Sequence, residues 1–145
     1  MPVRRVQVKA PPNVAKDAHG LRVAVGFFPG AKYEDGTPIA YVASVHEFGL
    51  GVTPRPFFRP AIDAGAPTWI AAMTQALRKG ASPHSAATVL GSLAMGDVQA
   101  QIAQVTTPPL DPKTIKARQR RGNSSKKPLV DTRMLLPSVQ FEVTQ

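Results

Sequence analysis

Three absences limit what this sequence can be. It contains no cysteine, so neither a disulfide framework nor a thiolate metal site can form. It has no apolar run approaching the ~20 residues that span a bilayer. Its first residues carry charges without an apolar stretch, which predicts that they are not a signal peptide. We therefore expect the chain to function inside a cell or a virion, without contact with a membrane.

Catalytic signatures are also missing. No serine lies in a Gly-x-Ser-x-Gly turn, and no glycine-rich loop leads into Gly-Lys-Ser/Thr. His46 and Glu47 suggest a zinc protease, but that motif needs a second histidine at position 50, where the chain has Leu50. The plainer interpretation is that both residues make polar contacts at the end of a short helix. The sequence predicts no enzyme activity, no cofactor and no metal site.

Acidic residues are scarce, since 9 acids face 18 lysines and arginines, giving a net charge of +9 and a pI of about 10.5. Such a balance suits a polyanion or an acidic protein surface. Seven of the cations lie in one segment without any acid, and they are the candidate contacts for docking or for a polyanion: Lys113, Lys116, Arg118, Arg120, Arg121, Lys126 and Lys127.

This basic segment predicts an extended loop at about residues 107–131. Its charge and its Gly-Asn-Ser content disfavour burial of enough apolar surface to fold alone, so a neighbouring subunit is one candidate for what holds it. Contact with DNA and simple solvation are the alternatives. No aromatic residue lies between Lys113 and Lys127, which argues against a stacking platform for single strands.

Alternating apolar residues predict three strands, at about residues 3–10, 21–27 and 139–143, of which we expect the first two to pair as a hairpin. Helical spacing predicts a short helix over 38–48, capped by Thr37 and stopped by Gly49. Three prolines predict that residues 51–60 are extended.

Two longer helices are predicted in the middle of the chain. The first carries an apolar stripe from Ile62 to Leu77 that Pro67 should either kink or begin, and the second starts at Ser82-Pro83 and runs to Val105. Strands at both ends with helices between them indicate a single α+β domain over residues 1–145, with a small antiparallel sheet packed against two helices.

Aromatic and basic residues adjoin in the proline-rich stretch. Arg55 and Arg59 flank Phe57 and Phe58, and prolines on both sides restrict the backbone. Phenylalanine and arginine suit the centres of protein interfaces, so these four residues are the candidate subunit interface. The plainer alternative is that one phenylalanine completes the core and the other is incidental.

Four short elements, in order, resemble those of the small neck and tail-completion (virion morphogenesis) proteins of tailed bacteriophages. They are His-Glu-Phe-Gly at 46–49, Pro-Arg-Pro-Phe at 54–57, Pro-Leu-Asp-Pro-Lys-Thr-Ile at 109–115 and Lys-Pro-Leu-Val-Asp-Thr at 127–132. The chain departs from that pattern at Arg133, where the family usually has glycine, and at Pro137, at the expected start of the last strand.

The resemblance implies a structural virion protein without catalytic activity, a tail terminator or head–tail connector that forms a ring, expected to be a hexamer, in the neck or at the top of the tail. Its partners would be its own copies, the adjoining connector, tail-tube or sheath-terminating proteins, and DNA in the channel. The alternative from another class is a basic DNA-binding accessory protein that acts through residues 113–127.

Overall fold

The computed structural model describes residues 17–126, 129 and 134–145. Within these residues the chain forms an α+β fold of four helices and a two-stranded antiparallel sheet. The elements in chain order are β1 (Arg22–Phe27), α1 (Ile39–Phe48), α2 (Phe58–Arg78), α3 (Pro83–Gln104), α4 (Pro112–Arg120) and β2 (Val139–Thr144).

The sheet joins the two ends of the described chain. β1 pairs antiparallel with β2, so that Val25 lies opposite Phe141 and Phe27 lies opposite Val139. The strands predicted at 21–27 and 139–143 are confirmed in position. The strand predicted at 3–10 lies outside the described residues, and the described partner of β1 is β2, about 115 residues further along the chain by the register of the pairing.

The elements lie in layers, with α3 in the middle. α3 packs against both strands on one side and against α2 on the other, and α1 contacts β1. The prediction of helices packed against a small sheet is therefore confirmed, but α3 makes most of that contact. Gly91 of α3 allows the close approach, because a Cβ atom there would overlap the ring of Phe141.

The core lies between α1, the start of α2, the second half of α3 and β2. Its fully buried side chains include Ile39, Phe57, Val98, Ile102 and Val139. Ala94, Val98, Ile102 and Val105 are buried as the helical spacing of α3 predicted. Ser82 caps α3 by accepting a hydrogen bond from the Ser85 N–H, with Pro83 in the first turn, which confirms that helix start.

Two helix starts differ from the prediction. α1 begins after Pro38, which has an extended backbone and forms no side-chain cap, while Gly49 ends the helix in the left-handed conformation as expected. α2 begins at Phe58, so the predicted extended stretch 51–60 is wrong in its last three residues. Pro67 lies inside α2, which continues through it.

The basic segment is not an extended loop throughout, which corrects the prediction for residues 107–131. It contains α4, whose first turn is capped by Asp111, since the carboxylate Oδ1 accepts the Lys113 N–H at 2.7 Å. Leu129, further along, is buried in the core cluster. A capped helix and a buried anchor supply the local structure that composition alone did not predict. Among the residues that the structure describes, no helix is long and apolar enough to cross a bilayer.

Candidate functional site

A single buried carboxylate connects the end of α1 to the start of α2. Glu47 is 1% exposed. Its Oε2 accepts the N–H groups of Phe57 and Phe58 at 2.8 and 2.9 Å, and its Oε1 accepts the N–H of Arg59 at 3.0 Å. These N–H groups belong to the first turn of α2 and have no partner within the helix. Glu47 is therefore the cap of α2, supplied from ten residues upstream.

The charge on Glu47 is stabilised where it lies. Burial opposes ionisation, but hydrogen bonds from the N–H groups of Phe58 and Phe57 and from Arg59 outweigh it and hold the pKa of the Glu47 carboxyl below its ordinary value. The positive end of the α2 dipole acts in the same direction. Glu47 therefore stays ionised at neutral pH, as an acceptor that binds the two helices together.

Arg59 closes this junction from the solvent side. Its Nε donates to Glu47 Oε1 at 2.9 Å and its Nη2 donates to the Glu47 carbonyl at 2.9 Å. The guanidinium also lies 5.1 Å from the centre of the Phe48 ring, within the range of a cation–π contact. Arg59 is largely exposed, so solvent screens its ion pair with Glu47.

Arg55 joins this junction to the chain that follows α3. Its Nε donates to the Pro108 carbonyl at 2.9 Å and its Nη2 donates to the Pro109 carbonyl at 3.0 Å, while its backbone N–H donates to the His46 carbonyl at 2.8 Å. Pro108 and Pro109 thus offer acceptors to a side chain more than fifty residues earlier. The side chain of Arg55 is 8% exposed, so this link is internal.

Two of the four residues predicted as a subunit interface lie inside the chain. Phe57 is fully buried and makes edge-to-face contacts with Phe27 and Phe58, at ring-centre distances of 6.1 and 6.4 Å. Phe57 is a core residue, which corrects its placement on an exposed contact surface. Arg55 is also buried and does not lie on the exposed surface. Phe58 is half-buried and Arg59 is exposed, so both remain accessible to a partner.

Three of the seven predicted basic contacts lie on one side of α4. Lys113, Lys116 and Arg120 are exposed and recur at steps of three and four, so they share one helix face, which we call the α4 basic face. Arg121 and Lys126 are exposed beyond its end. Lys127 lies outside the described residues.

Arg118 is placed differently, on the inner side of α4. It is 5% exposed and its Nη1 donates to the Ser125 carbonyl. Burial separates Arg118 from the exposed cations of α4, so it does not belong to a solvent-facing basic surface. A guanidinium at this depth supports the turn after α4 from inside and belongs to the fold.

The sequence elements that carry the family resemblance meet around one cavity of about 780 Å³. His46 reaches it from the end of α1, Arg55 from the proline-rich stretch, Pro109 and Leu110 from the start of the basic segment, and Leu129 from the last element. Elements far apart in the sequence therefore form a single structural junction, which we call the four-element junction.

One polar atom in this junction is unusual. His46 Nδ1 is buried and has no hydrogen-bond partner. Burial lowers the pKa of His46, and the nearby charges of Arg55 and Arg118 lower it further. The imidazole is therefore neutral at neutral pH, beside two buried cations.

Sequence reasoning placed His46 and Glu47 correctly at the end of α1 but missed what Glu47 does. One indirect signal was available: none of residues 54–57, directly before Phe58, is Ser, Thr, Asp or Asn, so no side chain at the usual capping position could cap α2. A second missed contact is the hydrogen bond from Trp69 Nε1 to Asp97 Oδ2 at 2.7 Å, which ties α2 to α3.

Acid is expected to destabilise the fold in two steps. Both His46 and Glu47 have a lower pKa in the folded chain than their ordinary values of 6.5 and 4.5, so the unfolded chain binds more protons below each value. The His46 contribution is complete above pH 6.5 and the Glu47 contribution above pH 4.5, and each is lost as the pH falls from that value through the lower pKa of the folded chain.

Denaturant unfolding at a series of pH values measures this dependence. The His46→Phe variant is expected to lose the upper step and the Glu47→Gln variant the lower one. A free energy of unfolding that rises as the pH falls from neutral through 6.5 would contradict this assignment for His46.

In the parts of the chain that the structure describes, no group of three or more histidine and acidic side chains could hold a metal ion. Comparison of the chain with family models, curated proteins and solved structures found no match in any of the three.

Proposed function

We propose that this chain is a structural virion protein of a tailed phage: a subunit of a closed ring in the neck or at the top of the tail, acting as a terminator or connector. The observation that carries the proposal is the four-element junction, because the elements that resemble this family converge on one place in the fold. If the four segments belong to a shared architecture, they are expected to contact one another in the fold. If they resembled the family only by chance, they would have no reason to meet.

Exposed apolar side chains on and near α1 could form contacts between copies of the chain. Several large apolar side chains are exposed on α1 and just after it, including Tyr41, Phe48, Leu50 and Val52. Tyr41 and Phe48 are seven residues apart and lie on the same side of α1. Exposed apolar clusters of this kind mark interaction surfaces, and head-to-tail contact between copies closes a ring.

The mass of the full-length protein in solution tests the ring. We expect light scattering after size exclusion to show one closed oligomer at high concentration, with about six times the 15.5 kDa of one chain. Negative-stain images of the same fraction should show rings. A chain that remains at 15.5 kDa across the whole concentration range would count against self-assembly.

The second candidate is a DNA-binding accessory protein, and the α4 basic face is the observation that favours it. Lys113, Lys116 and Arg120 present three cations on one face of a short helix, which suits a row of phosphates. Such binding weakens steeply as salt rises, with a slope set by the number of phosphates neutralised. The ring proposal does not require this behaviour of the free subunit.

Replacing the exposed cations separates the two functions. We expect the variant with Lys113, Lys116, Arg120 and Arg121 all changed to glutamine to unfold at the wild-type temperature, because exposed charges usually contribute less than ~0.5 kcal/mol each. Its ring should form normally. The ring should not be incorporated into particles, because the cations proposed to contact the adjoining virion proteins are missing.

The matched control changes Arg22, Lys32, Arg78 and Lys79, four exposed cations away from α4, to glutamine. If the α4 variant entered infectious particles at the same yield as this control, the α4 basic face would have no role in docking. A loss of salt-dependent DNA binding in the α4 variant alone would instead favour the second candidate.

A further inference from the structure

The cavity at the four-element junction has the size and walls of a binding pocket. Its volume of about 780 Å³ lies within the range of protein ligand sites, roughly 300–1,000 Å³. Apolar side chains from four parts of the chain form much of the wall: Val42, Val52, Pro109, Leu110, Leu129 and Leu135. Such walls suit an apolar group.

Cations face this apolar space. Arg55 and Arg118 line the cavity, and both are more than nine-tenths buried. The side-chain bonds of Arg55 go to two neutral carbonyls, and it forms no ion pair with any residue that the structure describes. Burial of a cation is costly when no anion compensates its charge, so the cavity is electrostatically favourable for an anion.

His46 supplies an independent observation. Its Nδ1 is buried without a hydrogen-bond partner and the residue lines the same cavity. Buried polar atoms are almost always hydrogen-bonded, so each exception calls for an explanation. A ligand oxygen in the cavity that accepts a hydrogen bond from the Nδ1–H of the imidazole would satisfy this atom.

The other titratable groups among the described lining residues do not cancel the charge of Arg55. Asp111 is the one acidic side chain among those described residues, and its carboxylate already accepts the Lys113 N–H as the cap of α4. Tyr33 is a further titratable group of the described wall. Within the part of the lining that the structure describes, Arg55 and His46 are therefore matched by one carboxylate, which is already engaged.

We propose that this cavity binds an acidic side chain, flanked by an apolar residue, from a partner polypeptide. The carboxylate would lie against Arg55 and His46, and the apolar neighbour against the leucine and valine walls. A free small anion would leave the apolar walls uncovered. The mouth of the cavity also favours a polypeptide. Val52 lines the cavity and is 43% exposed, and Leu50, two residues earlier in the same loop, is exposed too, so a peptide could contact apolar side chains outside the cavity as well as inside it.

This inference depends on the cavity and not on the proposed ring. A chain that bound such a peptide without forming rings would support the peptide-binding cavity and contradict the proposed ring. A ring whose cavities bound no peptide would support the proposed ring and contradict the peptide-binding cavity.

The test uses the full-length protein with labelled histidine side chains, followed by NMR near neutral pH. The probe is the capped peptide acetyl-Leu-Glu-Leu-amide, with acetyl-Leu-Gln-Leu-amide as its uncharged match and acetate as the free anion. His19 and His84, which do not line the cavity, serve as internal references. We expect the His46 signals alone to shift in a saturable way with the acidic peptide.

The two comparison ligands define the chemistry. The glutamine peptide is expected to bind at least about tenfold more weakly, because its side chain has nearly the same shape as glutamate but lacks the charge that strengthens a hydrogen bond. Bound carboxylate should also raise the pH at which His46 titrates, because it favours the imidazolium form. Acetate that shifted His46 at the same concentrations as the acidic peptide would overturn the polypeptide source, and no response to any of the three would overturn the site.

A variant at the mouth provides a test that leaves the buried residues in place. Val52→Asp puts a negative charge at the exposed rim, and Val89→Asp puts the same charge on the exposed side of α3, away from the cavity. We expect Val52→Asp to weaken binding of the acidic peptide at least about tenfold and Val89→Asp to leave it unchanged. Equal binding by the two variants would contradict the proposed entry route.

Discussion

Replacing Glu47 with glutamine is expected to lower the free energy of unfolding by about 2–4 kcal/mol, since a helix cap and buried hydrogen bonds to a charged group are lost together. The amide can accept only at one oxygen and presents an N–H₂ group to the N–H groups of α2, so part of the first turn of α2 loses its partner. Denaturant unfolding at neutral pH measures the change.

Two controls show whether the buried carboxylate itself is responsible. Arg59→Ala removes the exposed partner of the ion pair and is expected to cost no more than about 1 kcal/mol. Glu34→Gln removes the charge of an exposed glutamate in a turn and should leave stability unchanged. If all three variants unfolded alike, Glu47 would not be the cap that joins α1 to α2.

Truncating Phe57 to alanine is expected to lower the free energy of unfolding by about 3–5 kcal/mol, because a fully buried phenylalanine leaves a cavity that the core refills only in part. The variant also loses the edge-to-face contacts with Phe27 and Phe58. The measurement is denaturant unfolding at a concentration where the protein is monomeric.

Phe48→Ala is the matched control, since Phe48 is a phenylalanine at the end of α1 that is 42% exposed. It should cost much less stability, and a fall in oligomer population without a fall in monomer stability would identify it as part of a contact between copies. That same pattern in Phe57→Ala, with monomer stability retained, would contradict the placement of Phe57 in the core.

Local patterns predicted the elements that local physics determines. β1 and β2 follow from alternation, and α3 follows from Ser82, Pro83 and an apolar stripe that continues to Val105. Gly49 ends α1 as expected because the left-handed conformation costs glycine little. In each case the residues that determine the structure lie within a few positions of it.

Long-range contacts determine what the sequence did not reveal. The start of α2 depends on a carboxylate ten residues away, and the partner strand of β1 lies at the other end of the chain. Arg118 belongs to a strongly basic run and is nevertheless buried, because α4 turns one side of that run inward. Charge patterning identified the segment but not which of its cations face solvent.

The candidate site shows the same division. His46, Arg55 and Pro109 belong to three separate short elements of the sequence. Nothing in their spacing predicted that they line one cavity. Arg55 was predicted to lie in a subunit interface because arginine and phenylalanine suit the centres of protein interfaces. Its bonds to the carbonyls of Pro108 and Pro109 give it an internal role instead.

The central proposal, a structural ring subunit at the junction of head and tail, is tested most directly by deleting the coding sequence from its genome and imaging the particles that form. The proposal predicts DNA-filled heads and tails that remain separate, with joining restored by the chain supplied in trans. Complete tailed particles at normal yield without this chain would contradict it.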